Sequence, residues 1–250
     1  NLAMLFKKLN ASREVISQVY EIINKTEWKP KRTSTDTPVI ELPPEYKPMW
    51  VLNSRDPEYR NAASYLKRRG VTIQDILKYR IGYATEGKYR SKLIIPSYDI
   101  NGSLNFFISR AYYEADPYKY NNPQFSKDII GFELLINWKE PVILVEGAFD
   151  AMAIKRNAIP LFGKLISNTL KKRVIENKVK DIYICLDSDA RKQALQTAEY
   201  FMANGVNVYF VDLKEKDPSE IGFERIIHYI NDTSRLTDAK LMEEKILCML

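Results

Sequence analysis

The chain has 250 residues, 45% of them hydrophobic and 28% charged, which suits one large or two small folded domains and excludes a disordered polymer. No apolar run reaches the ~18 residues of a membrane span, and neither a signal peptide nor a membrane partner is expected. The balance of 38 basic to 32 acidic residues, a formal +6, favours a polyanion such as nucleic acid, although a moderately basic soluble protein fits it equally. Two cysteines, Cys185 and Cys248, and the single histidine His228 exclude a disulfide framework and a four-ligand zinc site, and fit a reducing cytoplasm. The first residue is Asn1, not Met, so the chain is expected to be a piece of a longer protein.

In chain order, residues 2–25 carry helix-like apolar spacing. Residues 28–48 hold Pro30, Pro38, Pro43, Pro44 and Pro48, which marks an extended linker or a strap over the surface. A helix is predicted over 57–67, closed by Gly70, and a second short one after the cap Thr72. The runs KLIIPSYD and SLNFFISRAYY read as strands, with Asn101-Gly102 as the hairpin turn between them. Residues 50–138 are therefore an α+β unit. Beyond 139 the pattern becomes strand 141–145, helix 148–156, strand 158–162, helix 168–177, strand 181–186, helix 190–204, strand 207–211 and helix 218–230. Such alternation predicts an α/β domain with a parallel sheet over 139–232. Residues 233–250 are a helical tail, and residues 1–49 an N-terminal helix and Pro-rich linker.

Three apolar runs of the second region lead into acids: Glu146 after VILV, Asp187 and Asp189 after YICL, and Asp217 in KEKDPSE. In open α/β sheets, sites lie outside the carboxyl ends of the strands. Acids packed there repel unless a divalent cation neutralises them. Oxygen-only donors suit Mg²⁺ or Mn²⁺ rather than zinc. A single such acid would more often cap the next helix, but three in separate βα units with an Asp-x-Asp favour metal. Upstream, Arg110, Lys119 and Lys127 alternate with Tyr112, Tyr113, Tyr118, Tyr120 and Phe125. Cations interleaved with rings suit single-stranded nucleic acid, because bases stack while Lys and Arg hold phosphate. A tyrosine-rich hairpin with solvated charges is the other reading.

At Glu146-Gly147, Asp187-Ser188-Asp189 and Asp217-Pro218 the chain resembles the Toprim domain of primases, topoisomerases and certain nucleases. YLKRRG, IGYA, KLIIPSYDINGSLNFFISR and KYNNPQFSK extend the resemblance to the catalytic core of DnaG-type bacterial and phage DNA primases, over roughly residues 57–230. The resemblance implies an α/β fold: a Toprim parallel-sheet domain preceded by a smaller α+β subdomain. It implies Glu146, Asp187 and Asp189 as catalytic residues. These three, with Asp217, would ligate two or more Mg²⁺ or Mn²⁺ ions. Lys92, Arg110, Lys119, Tyr120 and Lys127 would bind nucleotide or nucleic acid. Lys164 and the run Lys171–Arg173 are weaker additions, the run reading better as a solvated helix face.

The activity so implied is synthesis of short RNA primers on single-stranded DNA by metal-dependent nucleotidyl transfer during replication. Ribonucleoside triphosphates, a single-stranded DNA template and a replicative helicase would be the partners, in the bacterial cytoplasm, with a phage-like compactness. The family's zinc-binding module is missing from this chain. Three departures stand out: a shortened interval from Lys119-Tyr120 to Lys127, Ala190-Arg191-Lys192 where a glycine usually follows Asp-x-Asp, and a reduced third subdomain. The rival readings are a Toprim nuclease and an inactive single-strand-binding module of a helicase–primase.

Overall fold

Residue Asp56 opens the first helix of the body, α1 (Pro57–Arg68), by accepting from the Glu58 N–H, with Pro57 where a missing donor does no harm. It buries Ala62, Tyr65 and Leu66 and ends before Gly70, whose φ of +70° suits the turn. Helix α2 (Ile73–Lys78) starts from a capping box in which Asp75 N–H donates to Thr72 Oγ1 and Thr72 N–H donates to Asp75 Oδ2. The computed structural model describes residues 12, 14, 15, 39–163, 165–186, 190–213 and 221–248. It divides into residues 1–39 and 40–250, and every element named below lies in the second unit. The helix expected over 2–25 falls almost wholly outside the described residues, as do Lys164, Asp187, Asp189 and Asp217.

The first sheet is antiparallel, in the order β1 (Lys47–Pro48), β2 (Gly82–Ala84), β3 (Lys92–Tyr98), β4 (Leu104–Ala111). The β3–β4 turn is the expected hairpin. Gly102 takes φ +81°, and the Asp99 carboxylate accepts the N–H groups of Asn101 and Ser103. Strands β1 and β2 have two and three residues, too few for alternation to show. Through them residues 40–49 lie on the body as a strap. Ile40 and Met49 are buried, and Tyr46 Oη donates to the Arg80 carbonyl.

The second sheet is parallel, in the order β6 (Ala158–Pro160), β5 (Val142–Val145), β7 (Asp181–Cys185), β8 (Asn207–Phe210). Helices α3 (Ala148–Ile154), α4 (Asn168–Glu176) and α5 (Arg191–Ala203) connect the strands as the alternation predicts. Helix α6 is Phe223–Asp232; residues 218–220 of the expected span are not described. His228 is exposed on it. The tail forms α7 (Asp238–Leu247), and the segment before it extends the sheet edge through Leu236 N–H to the Val208 carbonyl.

One apolar core joins the two sheets. Ile94, Phe106 and Ile108 of the first belong to the same cluster as Val145 of the second and Phe149 and Phe162 beside it, with the Phe106 and Phe162 rings stacked at 5.5 Å. Each fully buried side chain of this size contributes about 1.5–3 kcal/mol. Backbone contact is equally close: a Cβ on Gly131 would lie 2.2 Å from the Pro160 carbonyl oxygen, so no larger residue fits. Buried Glu133 completes the joint, meeting Arg173 Nε of α4 at 2.9 Å and the Ile100 N–H of the hairpin tip at 3.3 Å. In the basic run of α4, Arg173 thus holds Glu133, Lys171 covers the Tyr200 ring at 4.9 Å, and Lys172 pairs with Glu176 at 3.6 Å.

Candidate active site

The joint between the sheets opens into a cleft of about 340 Å³ at the carboxyl end of β5. Glu146, Gly147 and Asp150 form one wall, and Tyr120 and Asn122 of the KYNNPQFSK segment the other. Glu146 leaves the end of β5 half-buried, with Oε1 itself buried. Asp150, four residues on, folds back so that its Oδ2 accepts the Gly147 N–H at 3.1 Å. A Cβ on Gly147 would stand 2.8 Å from that oxygen, so a larger residue would push the Asp150 carboxylate aside. Strands β5 and β7 run side by side in register, Val145 opposite Cys185.

The KYNN residues reach the cleft because they add to the free edge of β4. Ala111 N–H donates to the Lys119 carbonyl, Arg110 and Tyr120 bridge, and Asn121 N–H donates to the Ser109 carbonyl. Asn122 locks the register: its Oδ1 accepts the Ser109 N–H at 2.9 Å. Lys127 reaches the far rim, where its ammonium donates to the Phe162 carbonyl at 2.7 Å.

A second pocket, also about 340 Å³, adjoins on the helix side of β4 and is lined by Arg68, Arg69, Arg110 and Lys119 with Tyr65 and Tyr113. Arg110 stands between the two. Its Nε donates to Tyr65 Oη at 3.0 Å, and its guanidinium lies 4.6 Å from the centre of the Tyr120 ring. Arg69 lies over both Tyr65 and Phe149 at 5.7 Å. Cations packed beside rings in this way suit phosphate and stacked bases together.

Lys92 corrects the expectation that grouped it with these cations. It is buried, and its ammonium pairs with Asp116 and donates to the Tyr118 carbonyl at 2.7 Å, so it anchors the 112–118 loop instead of facing a ligand. That hydrogen bond holds the Asp116 carboxyl below its ordinary range. The other end of the loop is tied to α1, where Tyr112 and Tyr113 donate to the Glu58 carboxylate. Burial first, then Glu58, pushes the Tyr112 phenol far above its usual value and keeps it a donor.

Of the residues expected at the site, Glu146, Arg110, Lys119, Tyr120 and Lys127 line the two pockets or their rim. Asp187, Asp189 and Asp217 lie outside the described residues. Among the described residues no group of three or more His, Cys, Asp or Glu is arranged to hold a metal ion. The donors at the cleft, Glu146 and Asp150, are carboxylate oxygens, and a hard cation such as Mg²⁺ needs only one or two of these from protein. The sequence reading missed Asp150, Arg68, Arg69 and Asn122. The Glu-Gly-x-x-Asp spacing could have found the first, and YLKRRG the arginines.

No family model matches the chain. The Mycoplasma genitalium protein described as "Uncharacterized protein MG010" is 30% identical over 174 residues, which are 65% of this chain and 78% of that protein. The DNA primase of Legionella pneumophila is 26% identical over 210 residues, 64% of this chain; the match spans about a third of that primase, 36%. Among solved structures, a DnaG primase catalytic domain bound to single-stranded DNA superposes with a TM-score of 0.67 at 19% identity, covering 78% of each chain. The chain belongs to one family with the mycoplasma protein, and its fold is that of the DnaG-type primase catalytic core.

Proposed function

We propose that this chain is the catalytic core of a DNA primase, an RNA polymerase domain that builds short RNA primers on single-stranded DNA. The observation that carries this reading is the shared cleft, with Glu146 and Asp150 on one wall and Tyr120 and Asn122 on the other. A strand-end carboxylate alone fits any Toprim-like hydrolase. A stacked tyrosine and an adjoining four-cation pocket beside it fit an enzyme that holds template and triphosphate while joining them. The neighbour of the same fold solved with single-stranded DNA supports the template as partner, and the DNA primase relatives support the reaction class.

In this reading Glu146, Asp187, Asp189 and Asp217 would hold Mg²⁺ or Mn²⁺, with Asp150 beside Glu146. Bound metal would supply charge neutralisation at the reacting phosphate and a more acidic 3′-hydroxyl. The chain's own residues position the reactants. Arg68, Arg69, Arg110 and Lys119 take triphosphate or template phosphates, the open face of Tyr120 takes a base, and Lys127 closes the rim. A replicative helicase and an upstream zinc-binding module complete the proposed setting. The test is primer synthesis from labelled ribonucleoside triphosphates on random single-stranded templates, with and without Mg²⁺. Mg²⁺-dependent products that vanish in Glu146→Gln support the reading; template cleavage in place of synthesis overturns it.

A further inference from the structure

The basic pocket contains its own anion. Glu114, at the tip of the 112–118 loop, lines the pocket with the four cations, and its Oε1 lies 3.5 Å from Arg68 Nη2. The rest of the loop is pinned: Tyr112 and Tyr113 to Glu58, Asp116 to Lys92, and Asp116 N–H to the Tyr113 carbonyl. Arg68 has two further contacts, lying over Tyr65 at 5.8 Å and donating to Ser64 Oγ at 3.3 Å. Glu114 by contrast has a side chain 87% exposed, and Arg68 one 55% exposed. A pair this open contributes little stability and is readily exchanged for another anion. A pinned loop thus presents one displaceable carboxylate to the Arg68 guanidinium.

Resting on the reading of this pocket as a phosphate site, we propose that Glu114 is a built-in counter-ion that determines which anions the pocket accepts. It neutralises Arg68 until an incoming phosphate takes its place. A lone phosphate gains one contact by displacing it and loses the pair. A nucleic-acid strand spans Arg69, Arg110 and Lys119 as well, so it displaces Glu114 with the help of the other contacts. Glu114 therefore selects strands over small phosphates.

The experiment measures the affinity of an oligo-dT strand for the whole chain across a salt series, with inorganic phosphate as competitor. The variants are Glu114→Gln, Arg68→Ala, their combination, and Lys119→Ala. One phosphate contact on a single strand scales with salt to about the −0.7 power, so Glu114→Gln should bind roughly 5- to 10-fold tighter at ~50 mM salt, with a slope steeper by about 0.7. Inorganic phosphate should also compete several-fold better against it, and most of the gain should disappear in the Arg68→Ala background. Unchanged or weaker binding by Glu114→Gln overturns the proposal, as does a gain that survives in full without Arg68. If Lys119→Ala binds as well as the unaltered chain, the reading of the pocket itself fails instead.

Discussion

The two sheets place their charges by opposite means. In the parallel sheet, Glu146 is delivered by the strand: the chain emerges from β5 and the next residue is at the site. In the antiparallel sheet, no cation of the pockets or their rim is placed by its strand alone. Arg110 needs Tyr65 and Tyr120 to hold it, Lys119 and Tyr120 need the added pairing along β4, and Lys127 needs the Phe162 carbonyl of the other sheet. Parallel topology creates a site as a by-product of its strand ends. The antiparallel half has to assemble its site through hydrogen bonds between residues distant in sequence.

That contrast predicts different failures. The largest effect belongs to the strand-delivered acid. Glu146→Gln should lower primer synthesis by on the order of 10²–10³-fold with an unchanged thermal transition, checked by product formation beside a melting curve. Damage to the assembled half should appear as lost stability. Asp116→Ala leaves the buried Lys92 ammonium without its carboxylate and should cost about 3 kcal/mol in denaturant unfolding. At the joint between the sheets, Arg173→Ala removes the cation that holds buried Glu133 and should cost about 2 kcal/mol by the same measurement.

The Asp116 pairing also has a pH signature. Its carboxyl lies below the ordinary range in the folded protein, so its stabilisation is complete above the unfolded value of about 3.9 and is lost as pH falls through the lowered folded value. The unaltered chain should therefore lose stability more steeply below pH ~4 than Asp116→Asn, as equilibrium unfolding over an acid series would show. Parallel curves would remove Lys92–Asp116 as an anchor. The smallest effect sharpens the comparison: Lys119→Ala should leave the fold intact and reduce the salt slope of single-strand binding by about 0.7.

The sequence made the strand-delivered region legible and left the assembled one largely hidden. Strands β5, β7 and β8 came within a residue of their predicted spans, because buried parallel strands are continuous apolar runs. Glu146 followed from that. Lys92 was misread because nothing near it in sequence reveals its partner: Asp116 lies 24 residues away and meets it through a loop. Strands β1 and β2 were missed because two or three residues carry no period. Arg68 and Arg69 drew no role from the sequence, because the pocket they line exists only once α1 packs beside β4.

The central claim is that a metal held at Glu146 faces the KYNN segment across one cleft. Replacing Mg²⁺ with Fe²⁺ and generating hydroxyl radicals at the bound ion cuts the backbone nearest to it. Fragments should map both to residues 146–150 and to residues 120–122, and both sets should disappear in Glu146→Gln. Cuts confined to the parallel-sheet strands, or cuts that persist without Glu146, would contradict a shared cleft built around that carboxylate.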